Sequence, residues 1–388
     1  MPVTLTIDGQ EVTVPKGTTI LEAAKTIGQQ VPHYCYHPGM SSPAMCRLCL
    51  VEVEGAPKPM PSCVTTVMDG QVVHTRSEEA TASRKAVPEF YLVNHPLACP
   101  ICDLSGECSL QDYVHEEGRD SGRSGEPKRV FGRDDFGGDV LFYGDRCVMC
   151  TRCVRFLEEV AGVPELGCLW RGEDMEIATT IERGLGSELS GNIIDLCPVG
   201  ALTSKPYAFT ARSWELVNTE SIDVLDAVGS NSRVDTRGPQ VMRILPRLNE
   251  DVNQEWIADK TRFACDGLRL QRLDKPYLRG ADGRLAPVSW DRAFDAIKER
   301  LDGLDGARIG AIAGDLCDAE SMLALKDLMT ALGSPHIDCR QDGAALETGC
   351  RAAPLPNSTT AGIATADPRP PAGAHPPPHA PTVTPRLR

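Results

Sequence analysis

Twelve side chains able to hold metal lie between residues 35 and 197, and they fall into three groups of four. Cys35, Cys46, Cys49 and Cys63 form the first set. His95, Cys99, Cys102 and Cys108 form the second, and Cys147, Cys150, Cys153 and Cys197 the third, with Pro198 directly after the last ligand. Iron–sulfur clusters are held by cysteine thiolates, four per cluster in the simplest case. Three complete sets in one short span therefore predict three clusters, and a row of clusters moves electrons over distance.

The sets differ in how far spacing alone defines them. The first reads C-x10-C-x2-C-x13-C. The close pair Cys46 and Cys49 suits one iron, with Cys35 and Cys63 on a second, so a 2Fe–2S cluster fits; a structural zinc site uses C-x2-C equally well. The third set is a C-x2-C-x2-C run with a remote Cys-Pro, the bacterial ferredoxin pattern, and predicts a 4Fe–4S cluster. The second has three thiolates, C-x2-C-x5-C, and no fourth cysteine nearby. His95 is the closest substitute ligand, although a lone histidine before proline also serves as a capping or surface residue. A neutral imidazole in place of a thiolate removes one negative charge and so favours cluster reduction. Arg47, Arg146, Arg152 and Arg155 stand beside ligands, where their charges either ease reduction or face solvent. Cys168 fits no set and reads as a buried apolar residue. Cys265, Cys317, Cys339 and Cys350 are too dispersed to form one and read as structural.

The elements that must position these ligands are short. VTLTI (3–7) and EVTV (11–14) alternate around Asp8-Gly9, a hairpin signal. Thr19-Ile-Leu-Glu22 has the form of a capping box opening a helix to about Ile27. Hairpin, helix and cysteine loops predict a small β-grasp ferredoxin-like module, with LVEV (50–53) and QVVH (71–74) as further strands. A helix is expected from Glu78 to Val93, ahead of Pro96. An exposed loop rich in Gly, Arg and Asp is expected over 118–139. Beyond Pro206 the chain reads as short strands and turns. SWDRAFDAIKERLDG (289–303) then reads as an amphipathic helix, RIGAIAG (308–314) as a buried strand, and 318–332 as another helix, the alternation of an α/β domain. The last 38 residues hold 10 of the chain's 30 prolines and predict an irregular, largely disordered tail.

With 388 residues the chain is long enough for several domains. A hydrophobic share of 41% is ordinary for a soluble protein, and no run approaches the roughly 18 apolar residues of a membrane span. The N-terminus MPVTLTIDGQEVTVPKG carries no export or organelle leader as written. Sixteen cysteines without an export signal read as metal ligands rather than disulfides. A net charge of −14 argues against general nucleic-acid binding and against docking on anionic lipid. Neither a G-x-G-x-x-G after a strand nor a Walker A sequence is present, so any NADH that supplies electrons binds on another subunit.

Four stretches carry a family resemblance: HYCYHPGMSSPAMCRLCLVEVEG, NHPLACPICDLSGECSLQD, DRCVMCTRCVRFLEEVAG and IIDLCPVGALTSKP. Together they resemble the iron–sulfur G subunit of bacterial NADH-quinone oxidoreductase, whose mitochondrial counterpart is the 75 kDa subunit of complex I. The resemblance runs to about Ala345. It implies a 2Fe–2S cluster on the first set, a 4Fe–4S cluster on each of the others, and His95 as a ligand. Residues from about 215, including TRFACDGL (261–268), resemble the start of the family's molybdopterin-oxidoreductase-like part. Some members hold another 4Fe–4S cluster there on four cysteines; only Cys265 is present here, so no fourth cluster and no molybdopterin are expected. Family members continue for several hundred residues past this end. NSTTAGIATAD (357–367) still looks familial, but flanking prolines break the expected pattern, and the chain resembles a C-terminally truncated member.

The expected fold is α+β and multidomain. A 2Fe–2S ferredoxin-type domain is expected over 1–78, a His(Cys)3-ligated 4Fe–4S domain over 79–118 and a 4Fe–4S ferredoxin-like domain over 140–206. A 4Fe–4S-like domain without cluster follows over 215–271, a partial molybdopterin-oxidoreductase-like α/β domain over 272–350, and the proline-rich tail over 351–388. The resemblance implies an electron-relay subunit of the proton-translocating enzyme, with no catalytic residue of its own. It would take electrons from the flavin- and NADH-binding subunit toward a quinone-reducing arm, peripheral on the cytoplasmic face of the bacterial inner membrane. The alternatives are the electron-transfer subunit of a NAD-linked hydrogenase, whose chains stop soon after the third set, and a zinc-stapled interaction protein.

Overall fold

The computed structural model describes residues 2–179, 184–268, 272–314, 316–339, 359–365 and 380–387. β1 (Pro2–Ile7) and β2 (Gln10–Pro15) pair antiparallel through a turn in which Asp8 and Gly9 both have positive φ, at 47° and 84°. Such a turn matches the right-handed twist of the strands it joins. α1 (Ile20–Thr26) follows, and β3 (Leu50–Val53), β4 (Met60–Pro61) and β5 (Val72–His74) complete a five-stranded sheet of order β2-β1-β5-β3-β4. The β1–β5 pair is parallel, as a β-grasp requires. Leu5, Ile7, Val12 and Val14 alternate inward from the strands and meet Ile20, Leu21, Ala23 and Ala24 from α1. Thr19 caps α1 by accepting from the Glu22 N–H at 3.3 Å. The reciprocal half of the box is absent, because the Glu22 carboxylate instead accepts from the Tyr36 hydroxyl.

α2 (Glu78–Asn94) and α3 (Ser109–Glu117) pack together and frame the second set. β6 (Arg133–Asp135), β7 (Val140–Tyr143) and β10 (Leu202–Ser204) form a three-stranded antiparallel sheet. Between β7 and β10 lie α4 (Arg152–Arg155), the hairpin of β8 (Leu166–Leu169) and β9 (Glu176–Thr179), and α5 (Asn192–Leu196). α4 runs on into a π-helical turn, Phe156–Ala161, that Gly162 closes with φ 72°. β11 (Val217–Ile222), β12 (Asn231–Arg237) and β13 (Gln240–Pro246) make a separate antiparallel sheet, next to α6 (Asp259–Phe263). Beyond it come the hairpin of β14 (Tyr277–Arg279) and β15 (Leu285–Pro287), α7 (Trp290–Leu301), β16 (Gly310–Ile312), α8 (Ala319–Ala331) and β17 (His336–Asp338). β16 and β17 pair in parallel, as in an α/β unit.

Four expectations need correction. Cys168 is exposed, because β8 and β9 form an isolated two-stranded hairpin with one face open. The 308–314 strand is not buried: Ile312 is 68% exposed on a two-stranded sheet. The 118–139 segment ends in β6, and Phe136 beside it is buried and stacked on Phe142 at 4.6 Å. The tail is ordered in part. Residues 360–365 are helical, and the turn Pro381–Val383 continues into the helix Thr384–Leu387. Thr382 and Arg386 are buried, and the Arg386 guanidinium donates to the Glu250 carbonyl. The rest of the proline-rich tail, Cys350 and the end of the α/β region lie outside the described residues.

Candidate metal centres

The first set is assembled by the β-grasp sheet and the long loop between α1 and β3. Cys49 immediately precedes β3 and Cys63 follows β4, so the β3–β4 pairing brings them together. Ser62, fully buried, fastens this by donating its N–H (3.0 Å) and its hydroxyl (2.8 Å) to the Cys49 carbonyl. Ala44 and Arg47 take left-handed conformations (φ 53° and 59°), curling the loop around Cys46. The four thiols are buried and interact pairwise: Cys35 with Cys46 and Cys63, and Cys63 with Cys49. The contact with Cys35, with burial next, pushes the Cys46 thiol well up. The hydrogen bond with Cys63 brings Cys49 down.

The second set sits where two helix ends converge. His95 is the C-terminal cap of α2, held extended (φ −60°, ψ 127°) before Pro96, and Cys108 is the N-terminal cap of α3. Cys99 and Cys102 flank a single 3₁₀ turn. All four side chains line one cavity of about 190 Å³, together with Arg146 and Gly200. The His95 Nδ1 is buried without a hydrogen-bond partner among the described residues. Burial first, then the charges of Arg146 and Lys128, bring its pKa down to about 4. The imidazole is therefore neutral at physiological pH, the form that ligates metal. Burial pushes the Cys108 thiol up to about 11 against the pull of the Leu110 and Gln111 N–H groups.

The third set is built by the β7–β10 pairing. Phe142 faces Leu202, and this register brings the Cys147 loop beside the segment that follows Cys197. Met149 (φ 50°) and Thr151 (φ 58°) are left-handed, so the run from Cys147 to Cys153 winds tightly. Cys197 caps the end of α5. The four thiols line one small cavity, and burial pushes Cys150 up to about 12. Burial pushes the Cys197 thiol up against the pull of the backbone N–H groups of Val199, Leu202 and Ala201.

The three sets share walls. One apolar core contains Cys35, Cys46, Cys108, Cys150 and Cys153, with Cys147 and Cys197 packed against it. The Arg155 guanidinium donates to the carbonyls of Cys35 and Cys150, and the Tyr91 hydroxyl to the carbonyl of Cys46 at 3.4 Å. Arg146, just before Cys147, is buried against the Tyr143 ring and donates to the Gly200 carbonyl at 3.2 Å while lining the second cavity. Arg212 clamps the second loop from outside through the carbonyls of Cys102 (2.7 Å) and Pro100. Of the arginines read from sequence, Arg146, Arg152 and Arg155 thus bond inward to backbone carbonyls. Gly200, Tyr34 and Tyr91 were not foreseen. Gly200 carries no motif of its own, and the aromatic packing of Tyr34 on Tyr91 and Tyr113 joins distant segments.

The donor chemistry fits iron–sulfur clusters. Burial acts against the thiolate at Cys63, Cys108, Cys147, Cys150, Cys153 and Cys197, so such groups stay together as thiolates only where positive charge is bound among them. All fifteen described cysteines are unpaired. Cys265, on the 3₁₀ turn Ala264–Leu268, is buried and lines a pocket that Cys197 also borders.

Fold and ligand chemistry together define an iron–sulfur protein built from 2Fe–2S and 4Fe–4S domains followed by part of a molybdopterin-oxidoreductase-like region. Family models match in series. A 2Fe-2S iron-sulfur cluster binding domain covers residues 1–78, and an NADH-ubiquinone oxidoreductase-G iron-sulfur binding region covers 84–123. The ferredoxin-like domain of NADH-quinone oxidoreductase subunit 3 covers 137–203. An NDSU1/NuoG-like 4Fe-4S domain covers 216–266 and a molybdopterin oxidoreductase model 272–388. The chain is 51% identical over 361 residues to the mitochondrial NADH dehydrogenase [ubiquinone] iron-sulfur protein 1 of Solanum tuberosum, covering 93% of this chain and 49% of that protein. It is 48% identical over 364 residues to the G subunit of the NADH-quinone oxidoreductase of Rickettsia bellii, covering 94% and 53%. A solved NAD+-reducing [NiFe]-hydrogenase chain matches 54% of this chain and 90% of its own length at 29% identity, with a TM-score of 0.48. The chain belongs to the family of the NADH-quinone oxidoreductase G subunit and its 75–78 kDa counterparts. It spans about half the length of the curated relatives it matches.

Proposed function

We propose that this chain is the iron–sulfur electron-relay part of a proton-translocating NADH:quinone oxidoreductase. Cys35, Cys46, Cys49 and Cys63 hold a 2Fe–2S cluster. His95, Cys99, Cys102 and Cys108 hold one 4Fe–4S cluster, and Cys147, Cys150, Cys153 and Cys197 another. The domain division is 1–78, 79–118, 140–206, 215–271, 272–350 and 351–388, with no fourth cluster at Cys265 and no molybdopterin. When bound, the clusters supply one-electron carriers. The chain's own residues bury them, orient the thiolates with backbone N–H groups, and set each site's charge through Arg146, Arg152, Arg155 and the neutral His95. Its partners are a flavin- and NADH-binding subunit on one side and a quinone-reducing arm on the other. No helix among the described residues is long and apolar enough to cross a membrane. Attachment is therefore proposed through partners, at the cytoplasmic face of the bacterial inner membrane.

The observation that carries this reading is the single apolar core holding ligands from all three sets. Electron transfer needs carriers close together in a dry medium, and three unrelated structural metals do not. The test is metal and acid-labile sulfide analysis with EPR of the dithionite-reduced chain. Iron and sulfide in equal amounts, with one slowly relaxing and two fast-relaxing signals, are expected. Zinc without sulfide ends the relay reading.

A further inference from the structure

We propose that Arg155 is a positioning residue shared by the first and third ligand sets: one buried guanidinium fixes their two loops against each other and biases both clusters toward the reduced state. This rests on the cluster assignment above.

Arg155 lies on α4, two residues after the ligand Cys153, and is 8% exposed. Its Nη2 donates to the carbonyl of Cys35 and, at 3.3 Å, to the carbonyl of Cys150. Its Nη1 donates to the carbonyl of Ser41, in the loop between Cys35 and Cys46, and its Nε to the Thr151 hydroxyl at 3.3 Å. These partners come from two domains, and all are neutral oxygens. The nearby Glu159 carboxylate directs its own oxygens to the N–H (2.8 Å) and hydroxyl of Ser41. The positive charge therefore stays directed at the two ligand loops instead of being consumed in a hydrogen-bonded ion pair.

A planar fork is suited to this role, since it reaches acceptors in diverging directions while keeping its charge at any working pH. Arg152, one turn earlier on α4, repeats the pattern less deeply. It donates to the carbonyl of Tyr36, next to Cys35, at 2.6 Å and to that of Leu196, next to Cys197, at 3.3 Å. Each cluster gains or loses one electron, and the guanidinium keeps its protons throughout. A fixed positive charge in a low-dielectric core stabilises the more negative, reduced state of every cluster near it.

The test is an EPR-monitored redox titration of the full chain with R155Q and R155K. The second-set signal is identified as the one lost in H95A. In R155Q the reduction equilibria of the first and third sets should fall together by about tenfold, roughly 59 mV for one electron, while the second set holds its value. R155K, which keeps the charge with fewer donors, should recover most of the shift. Joint loss of the first and third clusters in R155Q with the second retained supports the same role. No shift, a shift of one set alone, or an equal shift of all three overturns it. If R155Q loses all three, R155K decides: a change confined to the first and third sets supports the role and any other pattern overturns it. If the wild-type chain itself lacks the three signals, the cluster assignment fails before Arg155 is in question.

Discussion

Gly200 should be the most sensitive non-ligand position in the molecule. It lies three residues after the third-set ligand Cys197, yet a Cβ placed on it would sit 2.2 Å from the Sγ of Cys102, a ligand of the second set. That is more than 1 Å short of the roughly 3.5–4.0 Å at which such atoms rest. Neither backbone can yield easily. On one side, Arg146 donates to the Gly200 carbonyl (3.2 Å), Tyr143 to that of Ala201 (2.7 Å) and Ser109 to that of Pro198 (3.1 Å). On the other, Arg212 (2.7 Å) and the Ser105 N–H (3.1 Å) hold the Cys102 carbonyl. The Cys102 side chain must therefore turn away. Overpacking of this kind costs about 1–3 kcal/mol. A ligand displaced by about 1 Å exceeds several-fold the ~0.2 Å tolerance of a metal–ligand bond. G200A should thus lose the second cluster while keeping the first and third. Iron and sulfide analysis with low-temperature EPR of the reduced protein reads this directly. Full iron content with an unchanged second-set signal would refute the steric argument.

Three further outcomes follow from the same geometry. H95A should lose the second 4Fe–4S signal. H95C should restore it at a lower potential, because a thiolate adds one negative charge, and an unaltered signal in H95A would remove His95 from the ligand set. R243M should lower stability by about 3 kcal/mol. It strips the fully buried Asp235 of a 2.8 Å partner and Glu107, the residue before Cys108, of contacts at 2.7 and 3.0 Å. Calorimetry should show a midpoint lower by roughly 6–12 °C at 2–4 °C per kcal/mol, and a drop under about 2 °C would count against it. Removing iron and sulfide should destabilise the first three domains together, since ligand binding is folding energy there. An apo chain that melts at the holo temperature would show the sites to be incidental to the fold.

What the sequence shows and what it hides divide along the range of each interaction. The β1–β2 turn, the Thr19 cap and α2 depend on residues a few positions apart, and all were legible. Three thiols at i, i+3 and i+6 state their geometry locally, and the structure places them with Cys197 around one cavity. The contacts of Arg155 with Ser41 and Cys35 span 114 and 120 residues, and nothing in CVRF announces them. Cys168 misled because its apolar character suggested a core, whereas its hairpin has an open face. The prolines of the tail argue against a long helix or central strand, but they do not exclude the short 381–387 turn. There Pro381 opens a 3₁₀ helix, a position that tolerates its missing N–H.

The placement of the ligands in the cores bears on how the relay holds together. All four ligands of the third set belong to or pack on the central core. Only Cys108 of the second set does; Cys99 and Cys102 stand outside it, which is why that loop needs Arg212 and Gly200 to hold it in place. The first set is split. Cys35 and Cys46 belong to the central core, whereas Cys49 and Cys63 belong to the core of the β-grasp domain. Under the proposed assignment, a cluster on those four thiolates would tie the two cores together covalently. Docking of the N-terminal domain and loading of the first cluster would then become one event, and the spacing between the first and third clusters would be fixed by chemistry as well as by packing. An electron carrier whose rate falls steeply with distance benefits from a tie at that boundary, because the boundary between domains is where thermal motion would otherwise open the gap.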